Sequence, residues 1–126
     1  MKKLSYLIVA ACVAVGLGST AQAHTKLVSA TPAANSAVAR PTSLQLHFTG
    51  KLMPKLSHVD LFQVGTGGHA RAPTKVAGAA TSVSADGKTM VVKLAQPLSA
   101  GTYRVDYRAI SSDTHKAQGS YIFNVR

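Results

Sequence analysis

The sequence predicts an all-β domain: an antiparallel Greek-key β-barrel or sandwich of about seven strands. Three observations carry this. Apolar and polar residues alternate in several short segments, and Pro, Gly, Asn and Ser separate those segments. Helical periodicity is nearly absent after the first 23 residues. About seven short strands in roughly 100 residues is the signature of a two-sheet fold or a small barrel.

The chain begins MKKLSYLIVAACVAVGLGSTAQA, with Lys2 and Lys3, an apolar run, then Ala21-Gln22-Ala23. A positive end, a short apolar core and a small-x-small site describe a cleavable signal helix. Its apolar core, from Leu4 to Leu17, is shorter than the ~20 residues a membrane helix needs. Residues 1–23 are thus read as signal peptide and residues 24–126 as one β domain. A second reading, a lipoprotein box at Val9-Ala10-Ala11-Cys12, would leave only Leu4 to Ala11 as apolar core.

Within the domain, LVSA near the start is the first strand. Leu44, Leu46 and Phe48 alternate with Gln45, His47 and Thr49, one face inward and the other outward. SHVDLFQV, residues 57–64, alternates likewise, and Gly65-Thr66-Gly67-Gly68 then opens a loop expected to run to Pro73. A strand near 79–84 joins residues 89–95, TMVVKLA, through Ala85-Asp86-Gly87-Lys88, a tight turn of the Asp-Gly kind. Pro97 to Gly101 forms the next turn. Tyr103, Val105 and Tyr107 alternate with Arg104, Asp106 and Arg108, and a last strand, Gly119 to Val125, places Tyr121, Phe123 and Val125 on one face. The polar stretch 111–118, SSDTHKAQ, has no strand or helix pattern and reads as an interruption where a site could sit.

Composition narrows the chemistry. Cys12 is the only cysteine and leaves with the signal, so the mature domain has neither a disulfide nor a thiolate ligand. Without Lys2 and Lys3, 12 Lys and Arg remain against four Asp, a formal charge of +8. The cations are scattered, tryptophan is absent and the chain is exported, all of which argue against nucleic acid as a partner. No nucleophile–base–acid arrangement and no glycine-rich phosphate loop is visible.

Five histidines and four aspartates are left as candidate ligands. Met53 and Met90 are too few for a thioether site, and Met90 falls in a strand where packing is the expected role. Asp113-Thr114-His115 places a carboxylate and an imidazole two residues apart, roughly 7 Å between Cα atoms in extended chain and on one side. Alone, such a pair is commonly a solvated loop. His24 adds weight, because cleavage after Ala23 makes it the N-terminus. Its α-amine, with an intrinsic pKa of about 8 rather than the ~10.4 of lysine, yields its proton readily to a metal. Amine and Nδ1 can then hold one ion in a six-membered chelate. With Asp113 and His115 the set is three nitrogens and one oxygen, which suits tetragonal Cu(II), while Zn(II) could use the same atoms. His47 lies on a polar strand face as a group behind the ligands or a solvated side chain. His58 and His69 read as surface residues.

These residues also carry a family resemblance. The runs H-x-K-L-V-S-x-x-P from His24, L-x-L-x-F from Leu44 and AGTYRVDYRAISSDTHKAQGS from Ala100 resemble the CopC family of periplasmic copper-binding proteins. The resemblance spans the whole mature chain and implies a Greek-key β-barrel of cupredoxin-like or immunoglobulin-like architecture. It implies one Cu(II) held by His24, Asp113 and His115, without catalysis, in copper resistance or uptake. It further implies a periplasmic location and an inner-membrane partner of the CopD type. Two departures stand out. Some members carry a Cu(I) site in a methionine-rich loop, whereas QVGTGGHARAPTK here contains no methionine. Some also have a glutamate shortly after L-H-F, where this chain has Gly50.

The alternative function is a copper monooxygenase, which also uses an N-terminal histidine chelate. It needs an open position for oxygen and an aromatic surface for polysaccharide. Asp113 as fourth ligand and a domain with three tyrosines and no tryptophan argue against it. A third reading is a binding module whose N-terminal histidine is incidental.

Overall fold

The computed structural model describes residues 25–126, which form nine strands and no helix. The expected signal helix and His24 lie outside the described residues. β1 (Leu27–Thr31), β3 (Ser43–Phe48), β7 (Thr89–Leu94) and β6 (Ala79–Val83) make one sheet, in the order β1-β3-β7-β6. β2 (Ala37–Val38), β9 (Lys116–Val125), β8 (Gly101–Ile110), β4 (His58–Thr66) and β5 (His69–Lys75) make the other, in the order β2-β9-β8-β4-β5. All pairings are antiparallel except β2 with β9. The two sheets face each other as a sandwich.

The alternation read from the sequence decides which side chains fill the interior. Leu44, Leu46 and Phe48 of β3 meet Met90 and Val92 of β7. From the other sheet come Val59 and Leu61, then Tyr103, Val105 and Ala109, then Phe123 and Val125. Tyr103 stacks on Phe123 at 5.7 Å, and Phe48 meets Tyr107 edge-on at 5.8 Å. Leu98, in the connection that crosses from β7 to β8, closes one end. Leu46 and Val105 are fully buried, so truncating either to Ala removes packing worth about 2–5 kcal/mol.

Nine strands replace the expected seven, and the difference has two sources. β2 is two residues long and too short to show any pattern. β5 occupies the stretch expected to be loop. β4 continues to Thr66, Gly67 and Gly68 turn with φ of 56° and 78°, and the chain returns from His69. Two successive residues at positive φ make the tight hairpin turn whose twist suits flanking strands. β5 is an edge strand exposed along its whole length, so no apolar alternation marks it. Pro73 is tolerated there because an edge strand has one side without ladder bonds. The polar stretch 111–118 is likewise shorter than expected, since β8 and β9 pair up to Ile110 and Lys116 and leave only residues 111–115 between them.

Candidate metal site

Four segments converge at one end of the sandwich. The first described residues run beside the end of β3: Thr49 N–H donates to the Lys26 carbonyl and Lys26 N–H to Thr49 Oγ1, each at 3.0 Å. Thr25 is buried, and a Cβ built at Gly50 would stand 2.6 Å from its Oγ1. Gly50 therefore allows the N-terminal segment to lie directly on the chain after β3. The β6–β7 turn joins from one side, its Gly87 carbonyl accepting from Leu52 N–H at 2.7 Å. The 111–115 loop joins from the other, with Ser112 N–H donating to the Lys51 carbonyl at 2.9 Å and Leu52 bridged to Ser111.

The 111–115 loop is held by its own polar groups. Ser111 N–H donates to the His115 carbonyl at 2.9 Å, and Thr114 N–H to the Ser111 carbonyl at 2.8 Å. Thr114 sits at φ 70°, a conformation non-glycine residues seldom adopt. That turn of the backbone brings the Asp113 and His115 side chains together, with Oδ2 2.9 Å from Nδ1. The other carboxylate oxygen, Oδ1, takes the Ser111 hydroxyl and, at 3.3 Å, the His115 N–H. Both side chains are about half exposed. The Ser111 hydroxyl is the largest cause holding the Asp113 carboxyl far below the usual carboxylate range, followed by the His115 ring and backbone N–H. The loop thus presents an ionised carboxylate and an imidazole at one point on the surface. That separation is a hydrogen bond, the ring N–H donating to the ionised carboxylate, so a metal ion would either replace that proton or be met by the other ring nitrogen, Nε2.

Of the remaining histidines, His47 points outward from β3 and its Nδ1 lies 2.9 Å from Thr89 Oγ1. It also lies close enough to Asp86, in the β6–β7 turn, to act on that carboxyl, which the Ser84 hydroxyl chiefly holds below its ordinary range. His58 lies on the outer face of β4, 3.8 Å from Asp60, and His69 opens the exposed β5. Among the described residues no group of three or more His, Cys, Asp or Glu could hold a metal ion. Asp113 and His115 supply two donors and need more. Sequence reasoning missed Ser111, although a serine two residues before an aspartate in a polar turn is a recognisable signal for local side-chain bonding.

The comparisons with known proteins follow the same residues. The family model described as CopC domain matches residues 27–126. Copper resistance protein C of Pseudomonas syringae pv. tomato is 46% identical over 110 residues, covering 87% of this chain and 86% of that one. Copper resistance protein C of Escherichia coli is 40% identical over 126 residues, the full length of both. Among solved structures, PcoC, a methionine-rich copper resistance protein from Escherichia coli, superimposes with a TM-score of 0.74 at 47% identity, over 82% of this chain and 100% of that one. With its nine-stranded sandwich and a family match along nearly all of the described domain, the chain belongs to the CopC family.

Proposed function

We propose that this chain is a periplasmic Cu(II) carrier in copper resistance or homeostasis, exported by residues 1–23 and cut after Ala23. The observation that carries the reading is the Asp113–His115 pair, its donors 2.9 Å apart at the end of the sandwich where the described chain begins. His24 precedes Thr25, which packs on Gly50, and the next residue, Lys51, is bonded to the loop through Ser112. A cut after Ala23 brings a free amine and a second imidazole to that end. These two donors then complete the set of four that Asp113 and His115 begin. Relatives named copper resistance protein C support copper as the cargo.

Carriage needs binding and release alone. His115 and the two nitrogens of His24 select a borderline ion, and the ionised Asp113 offsets its charge. His47, which acts on Asp86 in the β6–β7 turn, is assigned a supporting role without contact to the ion. The ion is passed on to an inner-membrane partner of CopD type.

Copper EPR and competition titration on protein starting at His24 test the assignment, beside a version with one extra residue in front. The expected result is one Cu(II) per chain with nitrogen hyperfine structure, lost or altered in the extended version. Identical spectra and affinities would remove His24 from the ligand set. Peroxide production with ascorbate, together with glycan cleavage, would favour the monooxygenase reading instead.

A further inference from the structure

β9 is paired with β8 along its whole length, but on its other side only at the far end. There Ala37 and Val38 lie opposite Asn124 and Val125, and Asn35 N–H donates to the Ile122 carbonyl at 2.6 Å. From Lys116 to Tyr121 no described strand covers that side. Alternate residues of a strand direct their backbone groups the same way. Ile122 and Asn124 direct theirs toward β2, and the register is unbroken, so Gln118 and Ser120 present N–H and C=O to the open side. Unpaired edges of this kind are templates for strand addition.

Three further features mark the same place. Between β1 and β9 lies a groove of about 460 Å³, walled by Leu27, Val28, Ala30, Ala33, Tyr107 and Tyr121. Val28 is 64% exposed in its wall, and the buried Tyr121 Oη has no hydrogen-bond partner among the described residues. Burial, and next to it the Tyr107 hydroxyl, keep that phenol protonated and so a donor awaiting an acceptor. None of the four aspartates lies on β1, β9 or the link between β1 and β2, while Lys26 directly precedes β1 and Lys116 opens β9; Asp106, opposite Ser120 on β8, is paired with Arg104, and Asp60 with Lys75. Finally, the open edge starts at Lys116, directly after His115.

We propose that the open edge of β9, with the groove beside it, is where a copper-exchange partner docks by adding an acidic, extended segment as a further strand. The assignment rests on the copper-carrier reading. An apolar side chain of the segment enters the groove, its backbone pairs with Gln118 and Ser120, and its acidic residues meet the lysines and the +8 domain. One end of the added strand then lies against the 111–115 loop, which shortens the path for the ion. A second copy of this chain would bring the same positive charge to the edge, which disfavours self-pairing.

The probe is a synthetic seven-residue peptide alternating Asp or Glu with Val, added to mature, copper-free protein and followed by amide hydrogen exchange. The expected result is slowed exchange at Gln118 and Ser120 by about tenfold or more, with a shifted Tyr121 ring signal. Val28→Glu and Ser120→Pro each weaken peptide binding by about tenfold, and a Lys-for-acid peptide does not bind. Proline at 120 removes an N–H that points away from β8, and Val28→Glu changes an exposed side chain, so either variant tests the edge if the other misfolds. Protection elsewhere, equal binding of the basic peptide, concentration-dependent protection without peptide, or protection of these amides by anionic lipid vesicles instead would each overturn the proposal. Both variants keep the wild-type copper EPR spectrum, so loss of docking and loss of the carrier reading are separately visible.

Discussion

Two hairpin connections lie at opposite ends of the five-stranded sheet, and they are built on opposite principles. The β4–β5 turn is Gly67-Gly68, both at positive φ, and a Cβ at either would meet nothing within 4 Å. It reverses the chain and does nothing else visible. The β8–β9 turn spends five polar or charged residues on the same reversal and holds Thr114, not glycine, at φ 70°. Its hydroxyl, carboxylate, ring and amide groups bond one another. A turn that only connects is made of residues that cost nothing to bend. A turn that holds donors accepts strain and is stiffened by its own side chains. The stretch around the glycine turn, residues 63–75, also contains no methionine.

The comparison can be broken most directly by removing one histidine from each turn, the proposed ligand His115 and His69. His115→Ala is expected to weaken Cu(II) binding by about a hundredfold, roughly 2.7 kcal/mol, while His69→Ala beside the glycine turn changes it less than about twofold. A competition titration against a chelator of known affinity decides between them, and equal effects would erase the distinction. Backbone geometry gives the next largest difference. Gly68→Val, at φ 78°, is expected to cost about 1–2 kcal/mol in urea unfolding without affecting copper, because a β-branched residue is strained there. Thr114→Gly relieves strain of the same kind and leaves stability within about 0.5 kcal/mol, yet lowers copper affinity several-fold by loosening the loop.

Electrostatics offers a finer probe. The Asp113 carboxyl is depressed, so whatever stability its ionised form contributes is present above the unfolded-state carboxylate range and lost only in strong acid. Side-chain ¹³C shifts of the copper-free protein should accordingly show no Asp113 titration between about pH 3 and pH 6, where ordinary carboxylates begin to respond. Ser111→Ala removes the largest cause and should bring a titration step into that window. An unchanged curve would mean that the ring, not the hydroxyl, governs the carboxylate. The smallest effect is expected at His47: His47→Gln should alter copper EPR parameters slightly and affinity by less than about tenfold, as for a group that acts through others.

Much of this arrangement could be read in the sequence, for reasons that differ by element. β3, β4 and β8 each have one face in the core, so burial writes a period of two into their residues, and Leu44, Leu46 and Phe48 are as buried as that pattern requires. β5 has no buried face, and nothing in its composition records that it is a strand. The Asp113–His115 pair was legible because side chains two apart can share a side, but its closeness depends on the turn at Thr114, which spacing alone does not encode. Ser111 was missed because its role is local bonding rather than ligation. Gly50 was visible only as the absence of a carboxylate.

That glycine has a consequence for how the site can change over time. Introducing a glutamate at position 50 would set its Cβ 2.6 Å from the buried Thr25 hydroxyl. Gly50→Glu alone therefore has to turn or displace the Thr25 side chain, which directly follows His24 in the chain. Joined to Thr25→Ala, the same change fits with less disturbance. The two positions are therefore expected to be epistatic, the cost of a carboxylate at 50 depending on the residue at 25.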